Sequence, residues 1–514
     1  MQTPIMKHAM KYAVTFGRLR FGTGAKCRAR SVFVLAIAGL LGAPILMPAL
    51  EAPAKAARAL RAGGAGDGQT TQQGPTTQGN QTEETPIVEE SATKAFYSKV
   101  QHIVVIYQEN WSFDSLYPDF PGANGIANAA PTTPQIDKSG NPITVLPQPL
   151  NNGAADMRFP ANLPVAPYDM TKYVPADQIT GDIIHRYYHE QLQIDNGKMD
   201  KFVTWSDNGG LVFSYINAKD LAEGKLAQQY VMCDNFFHSA FGGSFLNHQF
   251  LIAAQAPTWP NAPASLISNP DASNLNDNVV TPDGFAVNTS FTINSPHPAS
   301  STDPTKLVPE QTNPTIGDRL TAAGVSWKWY SGGWDNALAG QPDPLFQFHH
   351  QPFAYYQNYK DGTQAKADHL QDETKFFTDI TGRTLPAVSF IKPLGPDNEH
   401  PGYANEVQGQ NHVAALVNAI MTSKYRKNTV IIITYDENGG RWDHVAPPVV
   451  DPKWGPGTRV PAIIISKFAK NGFVDHTQYE TVSILKFIEA KYGLQPLTAR
   501  DAGAKNLLTA FKGF

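Results

Sequence analysis

Residues 429–440 read TVIIITYDENGG, and residues 102–110 read HIVVIYQEN. Each is a short unbroken run of mostly β-branched residues that stops at two oxygen-bearing side chains. An apolar run without polar alternation suits a strand covered on both faces, the kind found in parallel sheets. Residues 387–391 (AVSFI) and 461–466 (PAIIIS) read the same way. Helical spacing appears between and after these runs. Val413, Leu416, Val417 and Ile420 mark 411–423, and Val482, Leu485 and Ile488 mark 480–492. Strands alternating with helices predict an α/β fold, a mostly parallel sheet with helices on both faces.

Open α/β sheets bind ligands beyond the carboxyl ends of their strands. The two matching strand ends deliver Glu109-Asn110 and Asp436-Glu437 to that edge. One such pair alone is more often a loop acid or a helix cap. Two pairs suit a hard divalent cation, with Mg, Ca or Mn the oxygen-preferring choices. Residues 233–248, CDNFFHSAFGGSFLNH, place Ser244 directly after Gly242-Gly243, with Asn247 and His248 behind it. A glycine turn lets the backbone approach a ligand closely. A hydroxyl aimed at a metal can attack a phosphoryl or acyl group without a dedicated base. G-G-S by itself is a common turn. Histidines beside polar turns (His185, His189, His349, His350, His400 and His444) can donate to a phosphate or protonate a leaving group.

Composition narrows the classes. The chain has 514 residues, 41 Lys+Arg against 45 Asp+Glu, and a formal charge of -4. That balance does not make the basic surface a nucleic-acid binder needs. Its 41% hydrophobic content excludes a disordered chain, and two Cys exclude a disulfide framework. Residues 1–30 hold seven basic residues and no acid, residues 32–50 are apolar apart from two prolines, and Ala54-Lys55-Ala56 follows. This order predicts a secretory signal peptide over 1–56, and a periplasmic or secreted product. The competing reading is a retained anchor, because about twenty apolar residues can span a bilayer; Pro44 and Pro48 weaken it. Cleavage removes eight basic residues and one acid, leaving 33 against 44, a charge of -11. Residues 57–96, rich in Gly, Gln and Thr, read as a disordered linker. The catalytic domain is expected over 97–514, with a surface insertion at 257–314 rich in Pro, Asn, Ser and Asp.

The segment IVVIYQENWSFDSLYP resembles the E-N-R-S-F-D opening of the bacterial phosphoesterase family that holds phospholipases C and metal-dependent acid phosphatases. Further blocks follow in order at 182–202, 234–257, 348–359, 434–448 and 459–489. The resemblance implies an alkaline phosphatase-like fold with a three-layer α/β/α core. It implies that Glu109, Asn110, Asp436, Glu437 and Ser244 hold the metal, that Ser244 is the nucleophile, and that Asn247 contacts the phosphoryl oxygens. It places His185, His349, His350 and His400 around the pocket, with Asp443 and His444 as a further addition. Trp111 stands where the family pattern has Arg, which removes a cation beside the first ligand pair.

Family phospholipases C usually carry Thr at the nucleophile position, and many bear extra carboxyl-terminal domains and a twin-Arg signal. Ser244, the short tail after residue 489 and the missing Arg-Arg pair favour the acid phosphatase branch. The expected activity is hydrolysis of small phosphate monoesters through a phosphoserine. The runner-up is a phospholipase C acting on phospholipid head groups. A secreted protein that binds metal or phosphate without turnover is the alternative of another class. No nucleic-acid partner and no membrane span after cleavage are expected.

Overall fold

The computed structural model describes residues 85–129 and 134–514, with side chains from Glu90 onward. The proposed signal peptide and most of the proposed linker lie outside these residues. The end of the linker is corrected: residues Thr85–Lys99 form a helix, α1. Its first part is stabilised by the Glu90–Lys94 pair one turn apart, at 2.6 Å. Phe96 and Tyr97 anchor its end in the core, with Phe96 packed on Phe468, Phe487 and Phe511. A polar composition hid these two aromatic anchors.

The central sheet has eight strands among the described residues. In chain order they are β1 His102–Gln108, β2 Val231–Cys233, β3 Trp327–Ser331, β4 Leu370–Asp372, β5 Val388–Lys392, β6 Thr429–Tyr435, β7 Ala462–Ile465 and β8 Phe473–Asp475. Across the sheet they run β8-β2-β7-β6-β1-β5-β3-β4. The apolar runs of β1, β5, β6 and β7 become central or near-central strands, as their composition demands. β1 lies between β6 and β5 and is parallel to both.

One expectation needs correction. Residues 461–466 read like the parallel strands, yet β7 is antiparallel to both neighbours. No crossover helix separates β6 from β7. The chain leaves β6 at its carboxyl end, forms the 436–461 loop and re-enters the sheet from the same edge. Burial on both faces makes the run apolar whichever way it points.

The period-2 geometry of a strand shows the layers. Gln108 and Tyr435 are paired across β1 and β6 and share a face; both hydrogen-bond Glu399, and Tyr435 also reaches Glu223 of helix α3, Ala222–Gln229. Tyr107 points the other way and donates to the Asn247 carbonyl of helix α4, Ser244–Ala253. Helix Glu406–Met421 packs beside α3 on the first face, and helix Val482–Tyr492 packs beside α4 on the second. The protein is therefore an α/β/α sandwich. The two sequence-predicted helices, 411–423 and 480–492, correspond to these last two.

Residues 257–314 contain short 3-10 turns and isolated bridges, as a loop-rich insertion should. They are not wholly superficial. Asp277 is buried and accepts N–H groups from Tyr188 and His189 and the His189 imidazole. Asn288 accepts Tyr187 N–H. The insertion is thus pinned to helix α2, Tyr187–Ile194.

Candidate active site

The carboxyl ends of three adjacent strands, β5, β1 and β6, converge on one buried cluster. Glu109 and Asn110 leave β1, Asp436 and Glu437 leave β6, and Lys392 closes β5. All five are fully buried. Asn110 has φ 83°, a left-handed value that asparagine tolerates better than most residues and that turns the chain out of the strand at once.

Ser244 reaches the cluster from the other side. The turn before it needs glycine: Gly242 has φ +88°, and a Cβ there would lie 2.5 Å from Tyr187 N. Ser244 is the first residue of α4, and its Oγ lies 3.5 Å from Asn110 Oδ1. No side chain caps the start of this ten-residue helix, so its first N–H groups are available to an anion.

Charge is unevenly shared. Glu109 Oε1 lies 2.6 Å from both Lys392 Nζ and His350 Nε2, and Oε2 lies 3.7 Å from His400 Nε2. Burial alone would raise the Glu109 carboxyl, but His350, Lys392 and His400 hold it well below the usual range. Among the described residues Asp436 and Glu437 have no cation at hydrogen-bonding distance; His248 lies 3.7 Å from the first and His185 3.6 Å from the second. Burial, together with Glu109 for Asp436 and with Asp436 for Glu437, pushes both well above their ordinary values. Asp436 Oδ2 and Glu437 Oε1 are buried and take no hydrogen bond. Two orphaned carboxylate oxygens beside the Asn110 amide and the Ser244 hydroxyl fit a hard divalent cation. Such an ion would restore both acids to their charged forms.

The histidines divide into layers. His185 bonds Ile183 O through Nδ1 at 2.6 Å; its Nε2 lies 3.3 Å from Asn110 Nδ2 and 3.6 Å from Glu437 Oε1. His400 faces it with ring centroids 5.5 Å apart. His350 sits deeper. Burial is the main cause that pushes its imidazole down to about 4. His349 packs edge-on to His350 at 4.4 Å, and burial likewise holds it neutral.

Three expectations change. Asn247 does not reach toward a phosphoryl group. Its Nδ2 donates to the carbonyls of Ala240, Gly242 and Gly243, and its Oδ1 accepts Ala240 N–H. It clamps the turn that presents Ser244. Asp443 and His444 belong to a separate buried network. Arg459 bonds Asp443 at 2.9 Å and Asp114 at 3.1 Å, and His444 Nδ1 pairs with Asp114 at 2.7 Å. The Arg459 guanidinium supplies a cation there, and Asp114, Asp443 and His444 also lie within ion-holding distance of one another. Trp111 does not leave its region without a cation either. Its buried indole donates to Glu399 O, and the Arg441 guanidinium packs over its ring at 4.0 Å.

Sequence reading gave no role to three residues that border the cluster or its glycine turn. Lys392 is one; a Lys closing an apolar strand at the ligand edge was the available signal. His248 is another, one helical turn after Ser244. It stacks on His350 at 4.9 Å and lies 3.7 Å from Asp436. Glu190 is the third: it accepts Gly242 N–H at 2.6 Å and is held by His238 and Thr458. No local signal marked it.

The model of the Phosphoesterase family matches residues 100–495. The chain belongs to the phosphoesterase family. Every block of the resemblance lies inside the matched region. Among curated phosphoesterase relatives, non-hemolytic phospholipase C of Pseudomonas aeruginosa is 23% identical over 431 residues, covering 77% of this chain and 54% of that protein. Phospholipase C B of Mycobacterium tuberculosis is 24% identical over 453 residues, covering 80% of this chain and 77% of that one. The chain thus spans only about half the length of the first of these. A solved alkaline phosphatase superfamily protein from Vibrio parahaemolyticus aligns at 12% identity and TM-score 0.31, over 55% of this chain and 62% of that one. The lipoteichoic acid synthase LtaP of Listeria monocytogenes aligns at 6% identity and TM-score 0.31, over 80% and 81%.

Proposed function

We propose that this phosphoesterase is a metal-dependent phosphatase of the acid phosphatase type, which hydrolyses small phosphate monoesters through a phosphoserine on Ser244. The observation that carries the reading is Ser244 Oγ, presented by a glycine turn at a helix start and set beside Asn110 and the two orphaned acids. Glu109, Asn110, Asp436, Glu437 and Ser244 would hold the ion. When bound, the ion would acidify the serine hydroxyl and offset charge on the phosphoryl oxygens. The preference for small monoesters rests on the mainly polar cleft beside Ser244, where Ile183 and Ile184 are the only large apolar residues among nine.

The chain's residues supply the rest. Ser244 Oγ gives up its proton to solvent and attacks phosphorus in line, the Oγ–P bond forms and the ester P–O bond breaks. His185 Nε2, at the edge of the cluster, is placed to hand the departing alcohol its proton. Water then attacks the phosphoserine, releases phosphate and returns a proton to Ser244. The α4 N–H groups and Lys392 neutralise charge that builds during both steps.

Phospholipase C activity is the second reading, and the names of the relatives favour it. Hydrolysis of p-nitrophenyl phosphate and of p-nitrophenyl phosphorylcholine with added divalent ions separates the two. The monoester should be strongly preferred, and Ser244→Ala should lose at least about a thousandfold on it. A preferred diester would establish the second reading, and an inert protein would return the non-catalytic alternative. Export through the amino-terminal segment remains part of the proposal. Among the described residues no helix is long and apolar enough to cross a membrane.

A further inference from the structure

Beside Ser244 the surface opens into a cleft of about 320 Å³, lined by Asp182, His185, Arg186, Asp207, Gly243 and Thr289 among others. It continues, through the shared residues Ile184 and Asp207, into a second hollow of about 440 Å³. His185 is the wall between cleft and ligand cluster: its ring lines the cleft, and its Nε2 faces Asn110 and Glu437. An ester whose phosphorus sits at Ser244 has this cleft as the neighbouring space for its organic group.

The cleft offers fixed, unused hydrogen-bonding groups. Asp182 Oδ1 accepts Ile183 N–H and Asp207 Oδ1 accepts Ile184 N–H, both at 2.8 Å. Two consecutive backbone N–H groups therefore orient two carboxylates. The Oδ2 of each takes no hydrogen bond from the described residues. Arg186 donates through Nη1 to Asp277 O at 2.6 Å, and the rest of its guanidinium is uncommitted. The opposite wall is rigid, because Asn288 is held by Tyr187 N–H and bonds Asp277. No Trp, Tyr or Phe lines the cleft next to Ser244, and Trp205 is the single such ring in the hollow beyond it, one face rather than a cage. A quaternary ammonium group is normally held by aromatic faces, whereas paired carboxylate acceptors beside a guanidinium suit vicinal hydroxyls.

Resting on the phosphatase reading of the same site, we propose that Asp207 and Asp182, with Arg186, are specificity residues that bind the hydroxyls of a polyhydroxylated alcohol, so that the preferred esters are sugar or polyol monophosphates. Asp207 is the sharper probe, since Asp182 lies close to His185 and His400.

The test compares the metal-loaded wild type with Asp207→Asn. This variant keeps the acceptor for Ile184 N–H and replaces the free oxygen with an amide. kcat/KM is measured on glucose 6-phosphate, p-nitrophenyl phosphate and phosphorylcholine. The proposal expects roughly a 10- to 100-fold loss on the sugar phosphate, the scale of one charged hydrogen bond, with p-nitrophenyl phosphate changed by less than about threefold. An equal loss on both would mark Asp207 as structural and overturn it. So would an unchanged sugar phosphate rate. A loss confined to phosphorylcholine would overturn it in favour of a cationic head group. A wild type inert on all three esters would instead remove the phosphatase reading, and this inference with it.

Discussion

Lys392 is the residue on which the charge balance of the site turns. It shares Glu109 Oε1 with His350 and leaves Oε2 open toward the other ligands. Lys392→Met keeps the volume and removes the charge. It should lower kcat by roughly 100-fold, the scale of losing one preorganised donor. Titration calorimetry should show the divalent ion bound at least as tightly, because a repelling charge has gone. An unchanged kcat would remove Lys392 from the chemistry. The strand-end acids were legible in the sequence because two buried apolar runs end alike in a pair of oxygen-bearing side chains, where one pair alone would more often be a loop acid or a cap. Asn247 was not. An asparagine beside a turn serves equally well as ligand or as backbone clamp, and only the three carbonyls around it decide.

At the scale of elements, the turn Gly242-Gly243 couples α2 to α4. Glu190 of α2 holds Gly242 N–H, and Gly242 packs against the start of α2. Gly242→Ala must move backbone, since the nearest atoms are Tyr187 N and Cα and the φ is +88°. It should cut kcat by more than tenfold with a smaller change in KM, and lower Tm by several degrees. Full activity would show that the turn can relax elsewhere. The alternation of strands and helices was readable from periodicity, and so was the buried class of β1, β5, β6 and β7. The direction of β7 was not, because composition records burial and not polarity. The short strands β2, β4 and β8 left no sequence pattern, each being three residues long.

The whole molecule carries a further buried acid outside the Ser244 cluster. Glu489, on helix Val482–Tyr492, is pushed up to about 9 by burial and by the neighbouring Asp501. Its folded value lies above the unfolded one, so the folded state holds the proton more tightly. Stability from this group is full below about pH 4.5 and is lost as pH rises toward 9. Glu489→Gln removes that slope. The Tm difference between variant and wild type should grow in the variant's favour from pH 5 to pH 9, and a constant difference would contradict the assignment. The central claim concerns the cluster at the strand ends: Ser244 takes the phosphoryl group. Acid-quenched p-nitrophenyl phosphate turnover, followed by peptide mass spectrometry, tests it most directly. The wild type should carry one added phosphoryl group on the peptide containing Ser244, and Ser244→Ala should carry none. Turnover with no phosphorylated peptide at any quench time, or the same label on another residue, would contradict the account.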